Sequence, residues 1–295
     1  MTPTIGVFDS GFGGLTVLRA LVARLPQARF AFLGDTARLP YGSKSRRTIA
    51  RYAAESAQFL VREQGAEFLV IACNTASALA LDAIQDAVLG VPVLGVIEPG
   101  AASARAASRT GDVLVIATDA TVQSHAYTAA CRALGLRALE KACPLLVPLV
   151  EEGWIEFAAA GATEPSTAQA GLASPQVAVT AEVIRIYLAE LTAAAAAQGL
   201  NPDALVLGCT HYPLLRPLLE RAVPAGMRVI DSAEAAADAA VKLFNGRAAL
   251  PPGAPVPEHV DLQCFATDSV EKFERLGSRF LGRPVGKVSL VDLGG

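Results

Sequence analysis

The sequence predicts an α/β fold with largely parallel sheets, and three observations predict it. Apolar runs of strand length alternate with helix-length segments along nearly the whole chain, the pattern of successive βαβ units. The alternation restarts near residue 98, which divides the chain into two similar halves. Two apolar runs, at 69–72 and 205–208, end alike, in a cysteine followed by polar residues.

Taken in order, residues 5–8 read as the first strand. Asp9-Ser10-Gly11-Phe12-Gly13-Gly14 then turns the chain into a helix whose apolar face is Leu15, Leu18, Val22 and Leu25. A second strand at 30–33 ends at Gly34-Asp35-Thr36. The loop Leu39-Pro40-Tyr41-Gly42 leads to a helix capped near Ser43 or Ser45 and stopped by Gly65. The strand at 68–72 delivers Cys73, and a helix over 76–88 precedes a strand at 91–96. After Glu98-Pro99-Gly100 comes a helix from Ala101, then a strand at 113–116 ending in Ala117-Thr118-Asp119-Ala120-Thr121. The next helix holds Ser124 and Tyr127 and stops at Gly135; a strand near 137–141 and the segment 143–153 follow.

Residues 154–176, rich in Ala, Gly, Ser and Pro, are expected to be a surface excursion. A long alanine-rich helix over 177–198 packs through Val183, Ile184, Tyr187, Leu188 and Leu191 and returns the chain to the strand carrying Cys209. Beyond it lie a strand at 228–230, a helix started by Ser232, a proline-rich linker at 251–257, and a last strand, helix and strand at 260–265, 270–281 and 285–293. The residue pattern leaves open which half owns the last ninety or so residues.

Composition narrows the function. A chain of 295 residues, 52% hydrophobic and 18% charged, has apolar material for one large or two moderate cores. No stretch of about 18 apolar residues runs without polar interruption, so no membrane span is expected. The first residues enter a strand directly, without the basic and apolar regions of a signal peptide. Cys73, Cys131, Cys143, Cys209 and Cys264 are odd in number, widely spaced and free of CxxC pairs, which argues against a disulfide framework or a structural zinc site and fits a reducing cytoplasm. A formal charge of −3 with scattered Lys and Arg offers no face for nucleic acid.

In open parallel sheets, ligands bind at the carboxyl ends of the strands. Asp9-Ser10, Cys73-Asn74-Thr75, Thr118, Thr121 and Cys209-Thr210-His211 all occupy such ends in this reading. A cysteine hydrolase needs one thiol with a histidine, which leaves the second cysteine strand unexplained. Metal chemistry would draw on His125, His211 and His259, and no pair has zinc-type spacing. Pyridoxal chemistry needs a lysine, and Lys44, Lys141, Lys242, Lys272 and Lys287 all lie outside the strand-end motifs. Two thiols facing one carbon suit another reaction. Inverting a stereocentre by deprotonation takes a base on one face and an acid on the other, since a single base tends to return the proton to the face it left. Asp9 and His211 are placed to tune or relay those protons.

Each motif also has a plainer reading. Buried free cysteines are commonly core residues, the reading kept for Cys131, Cys143 and Cys264. The Asp9–Gly14 turn lacks GxGxxG and GxxxxGK[ST] spacing, although its N–H groups at a helix start suit any anion, a carboxylate included. Thr118 and Thr121 can serve as helix caps, Tyr41-Gly42 as an ordinary turn, and Glu151-Glu152 as a solvated acidic pair.

The motifs Gly6-Val7-Phe8-Asp9-Ser10-Gly11-Phe12-Gly13-Gly14, Leu39-Pro40-Tyr41-Gly42-Ser43, Ala72-Cys73-Asn74-Thr75-Ala76, Val93-Leu94-Gly95-Val96-Ile97-Glu98-Pro99-Gly100, Thr118-Asp119-Ala120-Thr121-Val122-Gln123-Ser124, Pro148-Leu149-Val150-Glu151-Glu152-Gly153 and Gly208-Cys209-Thr210-His211-Tyr212-Pro213 run nearly end to end. In them the chain resembles the glutamate racemases of the aspartate/glutamate racemase superfamily. The resemblance implies two pseudo-symmetric, flavodoxin-like α/β domains with mainly parallel sheets and an active site in the cleft between them. The first domain would be 1–97 with 208–295, and the second 98–207.

The implied activity is interconversion of L- and D-glutamate without a cofactor or metal, supplying D-glutamate for peptidoglycan. Cys209 would remove the proton from L-glutamate and Cys73 from D-glutamate, with Asp9, His211 and Glu151 assisting. Asp9, Ser10, Tyr41, Gly42, Asn74, Thr75, Thr118, Thr121, Thr210 and His211 would hold the substrate. Dimers are usual in the family, so a cytoplasmic homodimer is the implied assembly. Ala117 stands where the family often has Gly, and the N-terminal extension that binds a cell-wall precursor in some members is lacking, so no such activation is expected. The alternatives are a racemase of the same superfamily acting on aspartate or a hydantoin, or a secondary regulatory or binding role.

Overall fold

The computed structural model describes residues 3–155, 174–244 and 259–294. Most of the excursion expected at 154–176 and all of the proline-rich linker at 251–257 lie outside the described residues. The chain opens with β1 (Thr4–Asp9), α1 (Leu15–Arg24), β2 (Arg29–Gly34), α2 (Arg46–Arg62) and β3 (Phe68–Ile71). Two short helices, α3 (Asn74–Leu79) and α4 (Leu81–Ala87), lead to β4 (Val93–Gly95) and α5 (Ile97–Ala107). The same alternation then resumes with β5 (Asp112–Ala117), α6 (Asp119–Ser124), α7 (Ala126–Ala133), β6 (Arg137–Ala142), α8 (Leu146–Glu151) and α9 (Pro175–Ala197). It continues through β7 (Ala204–Gly208), α10 (Arg216–Ala222), β8 (Arg228–Asp231) and α11 (Ser232–Leu243), and ends with β9 (Leu262–Ala266), α12 (Val270–Leu281) and β10 (Val288–Leu290).

Ten strands among the described residues form two sheets, of order β10-β9-β2-β1-β3-β4 and β6-β5-β7-β8, with every pairing parallel. The order second-first-third-fourth occurs in both, in β2-β1-β3-β4 and in β6-β5-β7-β8. The restart near residue 98 is therefore a topological repeat. Both chain ends meet in the first sheet, where β9 and β10 add to the edge at β2. One strand falls elsewhere than the expected boundary after residue 207 places it. Residues 228–231 pair with β7, from Ala204↔Arg228 to Leu207↔Asp231, and so extend the second sheet. The crossover through α10 is short, and a short crossover returns a parallel strand beside the one it left.

The central strands are buried on both faces, as in sheets covered by helices; Ile5, Val7, Leu69, Val70, Val113, Val115, Leu205 and Leu207 are fully buried. Local chemistry sets several boundaries. Ser45 caps α2, its hydroxyl accepting from the Thr48 N–H at 3.3 Å, and Gly65 at φ +68° turns the chain after it. The helix expected over 76–88 is two helices joined at Ala80. The helix expected to carry both Ser124 and Tyr127 breaks at His125, which sits at φ 55°. As expected, α11 starts at Ser232; Asp231 caps it by accepting from the Ala233 N–H at 2.8 Å, and the Ser232 hydroxyl donates to the Leu207 carbonyl at 3.0 Å. Among the described residues no helix is long and apolar enough to cross a membrane.

Candidate active site

Because the strands of each sheet are parallel, their carboxyl ends gather on one side. The ends of β1, β3, β5 and β7 deliver Asp9, Cys73, Thr118 and Cys209 to the wall of a single cavity of about 310 Å³. That volume lies at the small end of the ~300–1,000 Å³ usual for ligand pockets. Ser10, Tyr41, Gly42, Asn74, Thr75, Glu151, Thr210 and His211 also line it. Of the residues expected at the site, Thr121 alone stands behind the wall.

Cys73 follows the third strand of the first repeat and caps α3, its sulfur accepting from the Ala76 N–H at 3.4 Å. Its thiol donates to Ser10 Oγ at 3.4 Å. Burial, reinforced by the neighbouring Asp9 charge, pushes the thiol up to about 12. At neutral pH Cys73 holds its proton. Asp9 Oδ2 accepts from the Gly11 N–H at 2.9 Å, while Oδ1 is buried without a partner. Burial raises the Asp9 carboxyl above its ordinary value, against the opposing pull of His211. A Cβ at Gly14 would lie 2.4 Å from Asp9 Cβ, so this turn closes on the carboxylate only with glycine.

Cys209 occupies the equivalent place after the third strand of the second repeat, but its surroundings differ. The chain continues through Thr210 and His211 into a 3-10 turn at Tyr212–Leu215. That turn is held by Thr16, whose hydroxyl donates to the Thr210 carbonyl at 2.9 Å. Tyr212 holds it too, its hydroxyl reaching the Ala117 and Cys143 carbonyls at 3.2 and 3.0 Å. His211 Nε2 lies 3.2 Å from Glu151 Oε1, and Phe280 packs edge-on to the ring at 5.1 Å. Burial disfavours the imidazolium, yet Cys209 and Glu151 outweigh it and bring His211 up to about 10. Burial likewise opposes the Glu151 carboxylate, but His211 and Lys272 hold the group below its ordinary range. Of the pair read as solvated, only Glu152 is exposed. A Cβ at Gly13 would come within 2.2 Å of Thr210 Oγ1 and 2.6 Å of His211 Nδ1.

A hydroxyl cluster joins the two repeats: Thr75 lies 3.2 Å from Thr118 and 3.3 Å from Thr121, and those two are 3.0 Å apart. Thr118 does precede α6, but its side chain makes no capping bond to that helix. Asn74 Oδ1 accepts from the Tyr127 hydroxyl at 2.7 Å, and its buried Nδ2 has no partner. Tyr41 lies in a short 3-10 turn and donates to Asp35 Oδ2 at 2.5 Å. The buried Asp35 also accepts from Arg38 Nε and from the Thr267 hydroxyl at 2.9 Å. Sequence reasoning did not assign Asp35, Tyr127, Lys272 or Phe280 to the site. The strand-end position of Asp35 was the one local signal among them. Cys131, Cys143 and Cys264 are buried and line no part of this cavity.

The arrangement brings a thiol held protonated and a thiol beside a cationic imidazole to the wall of one small cavity. Asp9 Oδ1 and Asn74 Nδ2, an acceptor and a donor without partners, match the ammonium and carboxylate of an amino acid. Among the described residues, no group of three or more His, Cys, Asp and Glu side chains is placed to hold a metal ion.

Fold and cavity thus define a duplicated α/β protein with one thiol from each repeat on the wall of a shared cavity. Residues 5–240 match the Asp/Glu/Hydantoin racemase family, and the chain belongs to that family. It is 50% identical to the glutamate racemase of Koribacter versatilis, over 99% of this chain and 98% of the relative. The glutamate racemase isoform RacE1 of Bacillus anthracis superposes with a TM-score of 0.81 at 32% identity, covering 99% of this chain and 98% of that one. The Francisella tularensis glutamate racemase in complex with D-glutamate gives 0.79 at 31% identity, with the same coverage.

Proposed function

We propose that the protein interconverts L- and D-glutamate through two cysteines, without a cofactor, and supplies D-glutamate for peptidoglycan. The observation that carries this is that one cavity holds Cys73 and Cys209, each following the third strand of its repeat. The naming of its relatives as glutamate racemases and the D-glutamate in the Francisella structure support glutamate as substrate.

In the L-to-D direction, the Cys209 thiolate takes the Cα proton and becomes a thiol. The electron pair of that C–H bond moves into the α-carboxylate, giving an enediolate. The Cys73 thiol then delivers its proton to the opposite face and becomes a thiolate. The D-to-L direction reverses each step. The imidazolium of His211 complements the thiolate at Cys209, with Glu151 orienting the ring, and Asp9 assists at Cys73. Ser10, Tyr41, Gly42, Asn74, Thr75, Thr118, Thr121, Thr210, His211 and Asp9 hold the ammonium and the two carboxylates, with Thr121 acting through Thr75 and Thr118. The same reading assigns one α/β domain to the sheet built from both chain ends and a second to the four-stranded sheet, its boundary moved to follow β8. It also takes the enzyme to be a cytoplasmic homodimer.

The test is incubation with each glutamate enantiomer in deuterated water, following α-deuterium uptake and inversion together. Uptake with inversion from both enantiomers is expected. Failure with glutamate, alongside exchange of aspartate or a hydantoin, overturns the substrate assignment.

A further inference from the structure

Helix α12 lies outside the internal repeat, yet it touches the site on the Cys209 side. Phe273 anchors it against Phe12 and Phe32, with ring centroids 5.8 and 5.9 Å apart. Phe280 supplies the edge contact to His211. Lys272 Nζ lies 5.3 Å from the centroid of Phe12 and 3.4 Å from Glu151 Oε2. The other Glu151 oxygen is the one that meets His211 Nε2. One carboxylate at the end of a six-residue helix is therefore held between two donors from distant parts of the chain. At Cys73, Asn74 and Thr75 occupy the places of Thr210 and His211.

We propose that Lys272 is a positioning residue for proton transfer at Cys209, fixing the Glu151 carboxylate against His211 and so keeping the imidazole beside the thiol. This rests on the two-thiol reading above. A purely through-space role for Lys272 predicts the opposite sign. The ionisable groups around His211 are Asp9 from the end of β1, Cys209 from its own strand end, Glu151 from α8 and, beyond Glu151, Lys272 from α12. Removing a nearby cation with the geometry unchanged makes His211 easier to protonate. Releasing Glu151 makes it harder, because the hydrogen bond that raises His211 is lost.

The experiment is an NMR titration of the His211 imidazole in the free enzyme, with His125 and His259 identified by substitution. Wild type is compared with Lys272→Met, which keeps an apolar stem over Phe12, and with Lys272→Arg, which keeps the charge and donors. His211 is expected to titrate near 10 in wild type. In Lys272→Met its proton affinity should fall roughly tenfold, one pH unit, and Lys272→Arg should restore it. Turnover of Lys272→Met should drop roughly tenfold. Because mirror-image substrate and product have an equilibrium constant of one, its kcat/KM must fall equally in both directions. An unchanged or raised His211 titration in Lys272→Met overturns the proposal; Lys272→Gln provides the same comparison should the methionine variant misfold. If wild type exchanges no glutamate α-proton, the two-thiol reading falls, and the imidazole titration still decides the role of Lys272.

Discussion

Cys73 and Cys209 sit at the same point of a repeated topology, yet their neighbours impose different chemistry. Around Cys73 are a buried carboxyl, a serine hydroxyl and a helix N–H, and the thiol is held protonated near 12. Around Cys209 are a histidine raised to about 10, a glutamate and, behind it, a lysine. The repeat supplies position, one thiol from each half on the wall of a common cavity. Divergence after the cysteine, Asn74-Thr75 against Thr210-His211, supplies the charge difference. A two-base inversion needs both, because one group must be ready to accept a proton while the other is ready to give one.

The harshest way to break the comparison is to remove either thiol. Cys73→Ser and Cys209→Ser should each lose racemisation by about 10³-fold or more. The asymmetry should survive in what remains: Cys73→Ser exchanges the α-proton of L-glutamate without inverting it, and Cys209→Ser does so with D-glutamate. Chiral chromatography combined with α-deuterium measurement separates exchange from inversion, and two variants that still racemise at full rate would end the two-thiol mechanism.

Replacing the cationic partner tests the Cys209 side alone. His211→Asn should lower kcat by about 10²-fold. Stability should respond to pH as well. The folded protein raises His211 from 6.5 to about 10, so its stabilising contribution is complete below 6.5 and is lost as the pH rises through about 10. The Tm difference between wild type and His211→Asn should therefore shrink across that window; a difference that grows with pH contradicts the assigned charge.

Gly13→Ala sharpens the geometric half of the comparison. The added Cβ meets Thr210 and His211 side chains, and displacing them by about 1 Å should cost about 10²-fold in kcat together with about 1–3 kcal/mol of stability. Steady-state kinetics beside thermal unfolding checks it. The smallest effect is expected at Tyr41→Phe, in the loop that also lines the cavity. Asp35 keeps Arg38 and Thr267 as partners, so the loss should be about 1 kcal/mol by urea unfolding, with a several-fold higher KM.

Much of the site was legible before the fold was known because its residues are adjacent in sequence. A buried strand announces itself as an apolar run, and the polar residues at its end come directly after it, as in Ile71-Ala72-Cys73-Asn74 and Leu207-Gly208-Cys209-Thr210. Thr118 and Thr121 were legible by the same rule, although Thr121 turned out to stand behind the wall, supporting Thr75 and Thr118. The strand at 228–231 was legible as a strand but not by its partner, since an apolar run does not encode which sheet edge receives it. Helix breaks at Ala80 and His125 carry no glycine or proline to mark them.

The sequence by itself determined the alternating α/β order, the duplication, and the identity of the two thiols with their immediate neighbours. These are local properties, set by hydrophobic period and by the few residues at the carboxyl end of each strand. Only the tertiary structure decided that Glu151 faces His211 across 60 residues and that Lys272 reaches Glu151 across 121. It also decided that Tyr127 orients Asn74 from 53 residues away. Such contacts depend on which helix packs over which strand end, and a charged or hydroxyl side chain on a helix reads the same in sequence whether it meets solvent or the group that sets a proton's affinity.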